Sequence, residues 1–220
     1  MRGSRGSCRA GRWSRRSGWG RQAAKLLVYY HPAAANARQQ EQLVADVASD
    51  CVRLDLPLFV EPLGYDPVTG GKLTGEARRA CVVETARRLT SLGATVLKAE
   101  FPYDAAVTDR AAWAAACAEL DQASAVPWVL LSGGVDDTTF ARQTAVACGA
   151  GASGVLVGRS VWAPAATLPA TDRDAWLAGE GRERLLALAR LVDDLAKPWH
   201  IRPEPAGNAT SPGEGWYREY

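Results

Sequence analysis

Through the middle of the chain, short apolar runs alternate with longer amphipathic stretches. The runs are Leu26–Tyr30, Leu58–Val60, Thr95–Leu97, Trp128–Leu131 and Gly154–Val157. Each is strand-sized and nearly unbroken in apolarity, the pattern expected of parallel strands buried on both faces. Between and after them apolar residues recur at three- or four-residue steps: Leu43, Val44, Val47 and Cys51, then Trp113, Cys117 and Leu120, and later Leu185, Leu188, Val192 and Leu195. This spacing predicts helices with one buried face. Pro57, Gly93 and Pro127 stand just before strands, and Pro32, Pro62 and Pro102 just after them, where turn chemistry belongs. The pattern is five strand–helix units in succession.

Five units permit two closures. An open, doubly wound five-stranded sheet is self-sufficient, whereas a (β/α)8 barrel needs eight strands and about 250 residues. The segment after the first strand, HPAAANARQQ, contains neither GxGxxG nor GxxxxGK[ST], so the usual nucleotide-binding signal of open sheets is absent.

Composition narrows the class. With 220 residues, 47% of them hydrophobic, the chain can bury a core, which excludes disorder of the whole. No run approaches the roughly 18 apolar residues of a membrane span. The net charge of +2 conceals an asymmetry, because residues 1–24 hold seven Arg and no acid while residues 25–220 carry 19 basic against 24 acidic side chains. The body is mildly acidic, which argues against a nucleic-acid-binding surface on it. Residues 1–24, rich in Arg, Gly and Ser, are expected to be disordered. They admit three readings: an RNA-binding tail using Trp13 or Trp19 on bases, an organelle transit segment, or an inert extension from a false translation start, the last preferred. Residues 200–220, with three Pro and three Gly, read as a flexible tail. The five cysteines, Cys8, Cys51, Cys81, Cys117 and Cys148, form no CxxC pair, and four lie in apolar segments, as thiols of a reducing cytoplasm do. His31 and His200 lack a metal-ligand spacing, and no metal or other cofactor is expected.

In parallel α/β folds reactive groups gather at the carboxyl ends of strands. The third strand runs Thr95-Val96-Leu97-Lys98-Ala99-Glu100-Phe101-Pro102, and period-two alternation puts Lys98 and Glu100 on one face. An unpaired ammonium there is costly, so Lys98 needs a partner or a neutral amine. The two readings are a structural Lys98–Glu100 pair and an imine-forming lysine. With 22 Arg and only four Lys in the chain, a lysine at this point favours the amine chemistry that guanidinium cannot supply. Glu61 ends the second strand before Pro62; opposite a lysine it becomes a proton shuttle, alone it is a solvated loop residue. The fourth strand runs into Ser132-Gly133-Gly134 and the fifth into Gly158-Arg159-Ser160. Either cluster alone reads as a turn; together at the last two strand ends they suit a phosphate.

In order, the segments KLLVYYHP, LPLFVEPLGY, VLKAEFP, WVLLSGGV and GVLVGRSVW resemble the class I aldolase family that includes tagatose-1,6-bisphosphate aldolase and sulfofructosephosphate aldolase, over residues 25–199. The resemblance implies a Schiff-base lysine at Lys98, an acid/base at Glu61 and a second lysine beside the imine at Lys25. It also implies a phosphate or sulfonate site at Ser132, Gly133, Gly158 and Arg159. The implied substrate is a phosphorylated ketose, cleaved to dihydroxyacetone phosphate and an aldehyde. The implied fold is a (β/α)8 TIM barrel of which only about strands four to eight are present, with an open five-stranded parallel sheet as the alternative. The expected organisation is a leader over 1–24, a partial-barrel aldolase domain over 25–199 and a tail over 200–220. An amino-terminal truncation is expected to impair folding and activity. The functional alternatives are a non-catalytic anion-binding α/β module and nucleic-acid binding through the leader; a homo-oligomer is compatible with each.

Overall fold

The computed structural model describes residues 23–104 and 106–199. Nearly all of the expected leader and the whole expected tail, with Cys8, Trp13, Trp19 and His200, lie outside the described residues. All five expected strands form: β1 (Ala24–Tyr29), β2 (Leu58–Leu63), β3 (Val96–Ala99), β4 (Trp128–Leu131) and β5 (Val155–Leu156). β1 opens at Ala24, one residue ahead of the expected domain boundary.

The strands pair in parallel and in strict chain order, β1-β2-β3-β4-β5. A doubly wound sheet reverses its direction of growth at a switch point, and this one does not. When right-handed crossovers all step the same way, the connecting helices fall on one face. They do so here as a single layer. α1 (Ala37–Arg53) packs on α2 (Gly75–Thr90), α2 on α3 (Arg110–Ala123), and α3 on α4 (Asp137–Gly149). After the short α5 (Arg159–Ala166), α6 (Ala170–Trp176) and a π-helical turn at Leu177–Gly181, α7 (Arg182–Leu195) returns to α4. Sheet order and helix layer together are those of one wall of a barrel.

The core lies between sheet and helices. Leu58, Val60, Leu97, Trp128 and Leu130 from the strands meet Val44, Leu89, Cys117, Leu120, Phe140 and Leu188 from the helices. Val60 is opposite Leu97, Leu97 opposite Trp128 and Leu130 opposite Val155, so one register carries the apolar set across the sheet. Burying each such large side chain contributes about 1.5–3 kcal/mol. Asp109 and Asp136 cap α3 and α4, accepting from the backbone N–H of Ala111 and Thr139, each at 2.9 Å.

The expectation of strands covered on both faces holds for the helix side alone. Along β1, Ala24, Leu26 and Val28 turn towards the helices while Lys25, Leu27 and Tyr29 are exposed, Tyr29 by 64%. Leu156 on β5 is likewise exposed. The polar chemistry described next sits on this second, open face.

Candidate active site

Because Leu58 and Val60 point into the core, alternation turns Phe59 and Glu61 of β2 to the open face. The register sets Leu27 opposite Glu61 and Lys25 opposite Phe59, one step behind. The Lys25 stem covers that step, and its Nζ donates to Glu61 Oε2 at 2.7 Å. From the other side Lys98, on β3, donates from Nζ to Glu61 Oε1 at 2.8 Å. Each carboxylate oxygen therefore holds one ammonium. Glu61 is only 8% exposed. Burial by itself pushes its carboxyl up, but the hydrogen bonds and charges of Lys25 and Lys98 outweigh that and hold it below the ordinary carboxylate value.

Glu100 is placed differently from the expectation. β3 stops at Ala99, and Glu100 turns to the helix side instead of sharing a face with Lys98. Its Oε1 accepts from Arg78 of α2 at 3.0 Å and its Oε2 from the backbone N–H of Gly64 at 2.7 Å. A Cβ at position 64 would lie 3.3 Å from Cys81 Sγ and 3.4 Å from Glu100 Oε2, which is why glycine fits there. The structural Lys98–Glu100 pair is thus replaced by two separate ion pairs, Lys98–Glu61 and Arg78–Glu100.

Ser132, Gly133, Gly158 and Arg159 gather at the carboxyl ends of β4 and β5, next to one another but apart from the lysine pair. Gly133 and Gly134 both have positive φ, 60° and 82°, conformations that glycine alone adopts without strain. The Arg159 guanidinium lies over Gly134, its nitrogen 3.6 Å from where a Cβ would stand. The two turns are therefore in contact, and a side chain at 134 would meet the guanidinium. Arg159 is exposed and forms no ion pair among the described residues. It opens α5, whose first-turn amides point outward as helix N-termini do. The next residue, Ser160, has a buried hydroxyl with no hydrogen-bond partner. Gly134 is the contact that the sequence motif contained without assigning it a role.

Other chemistry is less well provided for. Cys51, Cys81, Cys117 and Cys148 are buried and unpaired, and burial pushes the Cys117 thiol up to about 12 and that of Cys148 to about 11. No thiolate nucleophile is available from those two. Among the described residues no three His, Cys, Asp or Glu side chains cluster as metal ligands, and no helix is long and apolar enough to cross a membrane.

The chain is similar to tagatose 1,6-diphosphate aldolase 1 of Streptococcus pyogenes, with 29% identity over 203 residues, covering 82% of this chain and 62% of the relative. It is also similar to tagatose 1,6-diphosphate aldolase of Listeria monocytogenes, with 28% identity over 82% of this chain and 60% of the relative. It thus spans about three fifths of the length of these curated relatives. Among solved structures, a Schiff-base-forming fructose-1,6-bisphosphate aldolase superposes with a TM-score of 0.55 at 27% identity, over 79% of this chain and 59% of that one. Fructose-bisphosphate aldolase of Plasmodium falciparum superposes with a TM-score of 0.65 over 81% of this chain and 59% of that one; at 15% identity it speaks for the fold alone. The DeoC/LacD family aldolase profile matches residues 19–164, which takes in β1 to β5 and the start of α5. The chain belongs to the DeoC/LacD aldolase family.

Proposed function

We propose that the chain carries Schiff-base aldolase chemistry on a phosphorylated ketose, with Lys98 as nucleophile. The observation that carries this reading is the 2.8 Å contact between Lys98 Nζ and the buried Glu61 carboxylate on the face opposite the described helix layer. The Lys98 amine, its proton given up, attacks the C2 ketone to form a carbinolamine. Glu61, by then protonated, returns a proton to the departing hydroxyl, water leaves, and an iminium remains as the electron sink. A base takes the proton of the C4 hydroxyl, the C3–C4 bond breaks, an aldehyde departs and the electron pair resides in an enamine. Protonation at C3 and hydrolysis release dihydroxyacetone phosphate and regenerate the amine.

The geometry gives Glu61 a changing role through this sequence. At rest two N–H donors stabilise its charged form. Turning the Lys98 ammonium into an iminium leaves one N–H and the positive charge on that nitrogen, so Glu61 keeps a cationic neighbour while it passes protons to and from the reacting sugar. Lys25 keeps the other oxygen occupied and fixes the carboxylate's orientation.

The anionic end of the sugar is assigned to Ser132, Gly133, Gly158 and Arg159. Val129 is opposite Lys98, so at about 3.3 Å per residue the Ser132-Gly133 turn begins roughly 10 Å further along the sheet. The flexible lysine stem shortens that gap to one that a phosphorylated ketose can span. The preferred substrates are of the tagatose-1,6-bisphosphate or sulfofructose-1-phosphate type, and the preferred setting is a reducing cytoplasm.

Borohydride reduction in the presence of dihydroxyacetone phosphate tests the reading. The expected result is a stable adduct on the peptide that contains Lys98. An adduct confined to Lys25, Lys72 or Lys197, or none on a chain shown by cooperative unfolding to be folded, overturns it.

A further inference from the structure

The open face continues past the ion pairs. On β1 it presents Lys25, Leu27 and Tyr29, and on β2 Phe59, Glu61 and Leu63, paired in that order. The next members of the two alternating series are His31 and Tyr65. Tyr30 turns to the helix side, where its hydroxyl donates to Glu41 of α1 at 2.5 Å, so His31 leaves the strand on the opposite side. The imidazole and phenol rings meet edge to face with centroids 6.5 Å apart.

Both rings are held by their surroundings and have polar groups to spare. His31 Nδ1 accepts the backbone N–H of Ala33 at 3.1 Å, which leaves Nε2 as the ring's N–H. Tyr65 lies between Gly64, fixed through Glu100, and a tight turn in which Asp66 Oδ1 accepts from the amides of Val68 and Thr69. Neither His31 Nε2 nor the Tyr65 hydroxyl makes a hydrogen bond among the described residues, and both residues are half-exposed. Two donors with no hydrogen-bond partner among the described residues stand at the carboxyl ends of the two strands that carry Lys25 and Glu61.

Their position relative to Lys98 carries the argument. Lys98 is on the middle strand. The glycine–arginine rim lies at the ends of β4 and β5, on one side of it; His31 and Tyr65 lie at the ends of β1 and β2, on the other. A ketose joined to Lys98 through C2 extends in two directions, C1 with its anion one way and C3 to C6 the other. We propose that His31 and Tyr65 form the subsite for the hydroxyl-bearing C4–C6 half, the half that departs as the aldehyde, and so select among ketoses by their distal end. This inference rests on the Schiff-base reading above.

The test compares two sugars on the same chain. Borohydride-trapped adduct on Lys98 is titrated against dihydroxyacetone phosphate, which lacks the distal half, and against a ketose 1,6-bisphosphate, which has it. Tyr65→Phe removes only the hydroxyl, and His31→Ala removes the ring. Each is expected to raise the half-saturating ketose bisphosphate concentration about three- to tenfold, the effect of one or two neutral hydrogen bonds. The dihydroxyacetone phosphate curve should stay in place and serves as the measure of intact folding. Equal shifts for both sugars, or none for either, overturn the proposal while leaving the imine chemistry standing. No adduct with either sugar in the unaltered, folded chain overturns the Schiff-base reading, and this inference with it.

Discussion

Glu61, within β2, and Glu100, just past the end of β3, are both largely removed from water, both paired with cations, and on opposite faces of the sheet. Glu100 meets a guanidinium and a backbone amide, Glu61 two ammonium groups. Guanidinium keeps its proton under all ordinary conditions, so the Arg78–Glu100 pair can tie α2 to the sheet and nothing more. An ammonium can surrender its proton and become a nucleophile, and the carboxylate beside it can receive one. If Glu61 has the proposed role, the partner, and not burial or charge, separates a structural carboxylate from a reactive one.

The sharpest way to break that contrast is to give the open face the partner found on the other side. Lys98→Arg keeps a cation beside Glu61 but removes the amine, and the expectation is complete loss of the borohydride adduct with folding retained. An adduct of ordinary yield in that variant would sink the assignment. Next in size, Glu61→Gln should slow adduct formation by about 10²–10⁴-fold, the usual share of a positioned acid/base, measured as the rate of trapping at saturating sugar. Glu100→Gln should show the reverse signature. It strands Arg78 among partly buried groups and is expected to cost about 3 kcal/mol in denaturant unfolding, while the trapping rate per folded molecule is unchanged. A loss of trapping with stability intact would erase the distinction between the two carboxylates.

Two smaller effects sharpen it further. Arg159→Ala should weaken binding of the anionic sugar about tenfold to a hundredfold, with the maximal trapping rate preserved, because the guanidinium touches the rim and not the lysine. The smallest effect is a pH dependence. Glu61 titrates below its ordinary value when folded, so its contribution to stability is present above the ordinary carboxylate range and is lost as pH falls through the depressed folded value. Several other carboxylates behave in the same way, Asp66, Asp104 and Asp136 among them, so the measurable quantity is a difference. Acidification should destabilise the native chain more steeply than Glu61→Gln, and parallel curves would show that the lysines do not stabilise the charged form.

The strands were legible because unbroken runs such as Trp128–Leu131 have few alternatives in a chain of this length, and β4 forms over those same residues. The single-sided helix layer was not, since an apolar run says that a strand is covered but not by what; Leu27 and Leu156 look like core residues and lie on the open face. The motif residues at the strand ends were readable one by one. How they combine was not, because Lys25, Glu61 and Lys98 stand on three successive strand–helix units and meet only through register. Glu100 departs from alternation for a local reason. It lies one residue past the end of β3, where the Gly64 amide, just after β2, and Arg78 of α2 decide the side chain's direction. His31 and Tyr65 lie inside the segments KLLVYYHP and LPLFVEPLGY with no role attached to them; only the paired alternation of β1 and β2 brings them together.

Chain-order pairing of the strands also shapes how the protein acquires its structure. Each strand hydrogen-bonds to the one before it in sequence, so no contact in the sheet requires closing a loop longer than one strand–helix unit. Loop-closure entropy then enters in small, similar instalments, and each unit docks on an edge already formed. The Glu61 site needs only the first three strands and is assembled when β3 joins; the glycine–arginine rim waits for β4 and β5. As the chain emerges from the ribosome, Lys25, Glu61 and Lys98 can meet before the glycine–arginine rim is made.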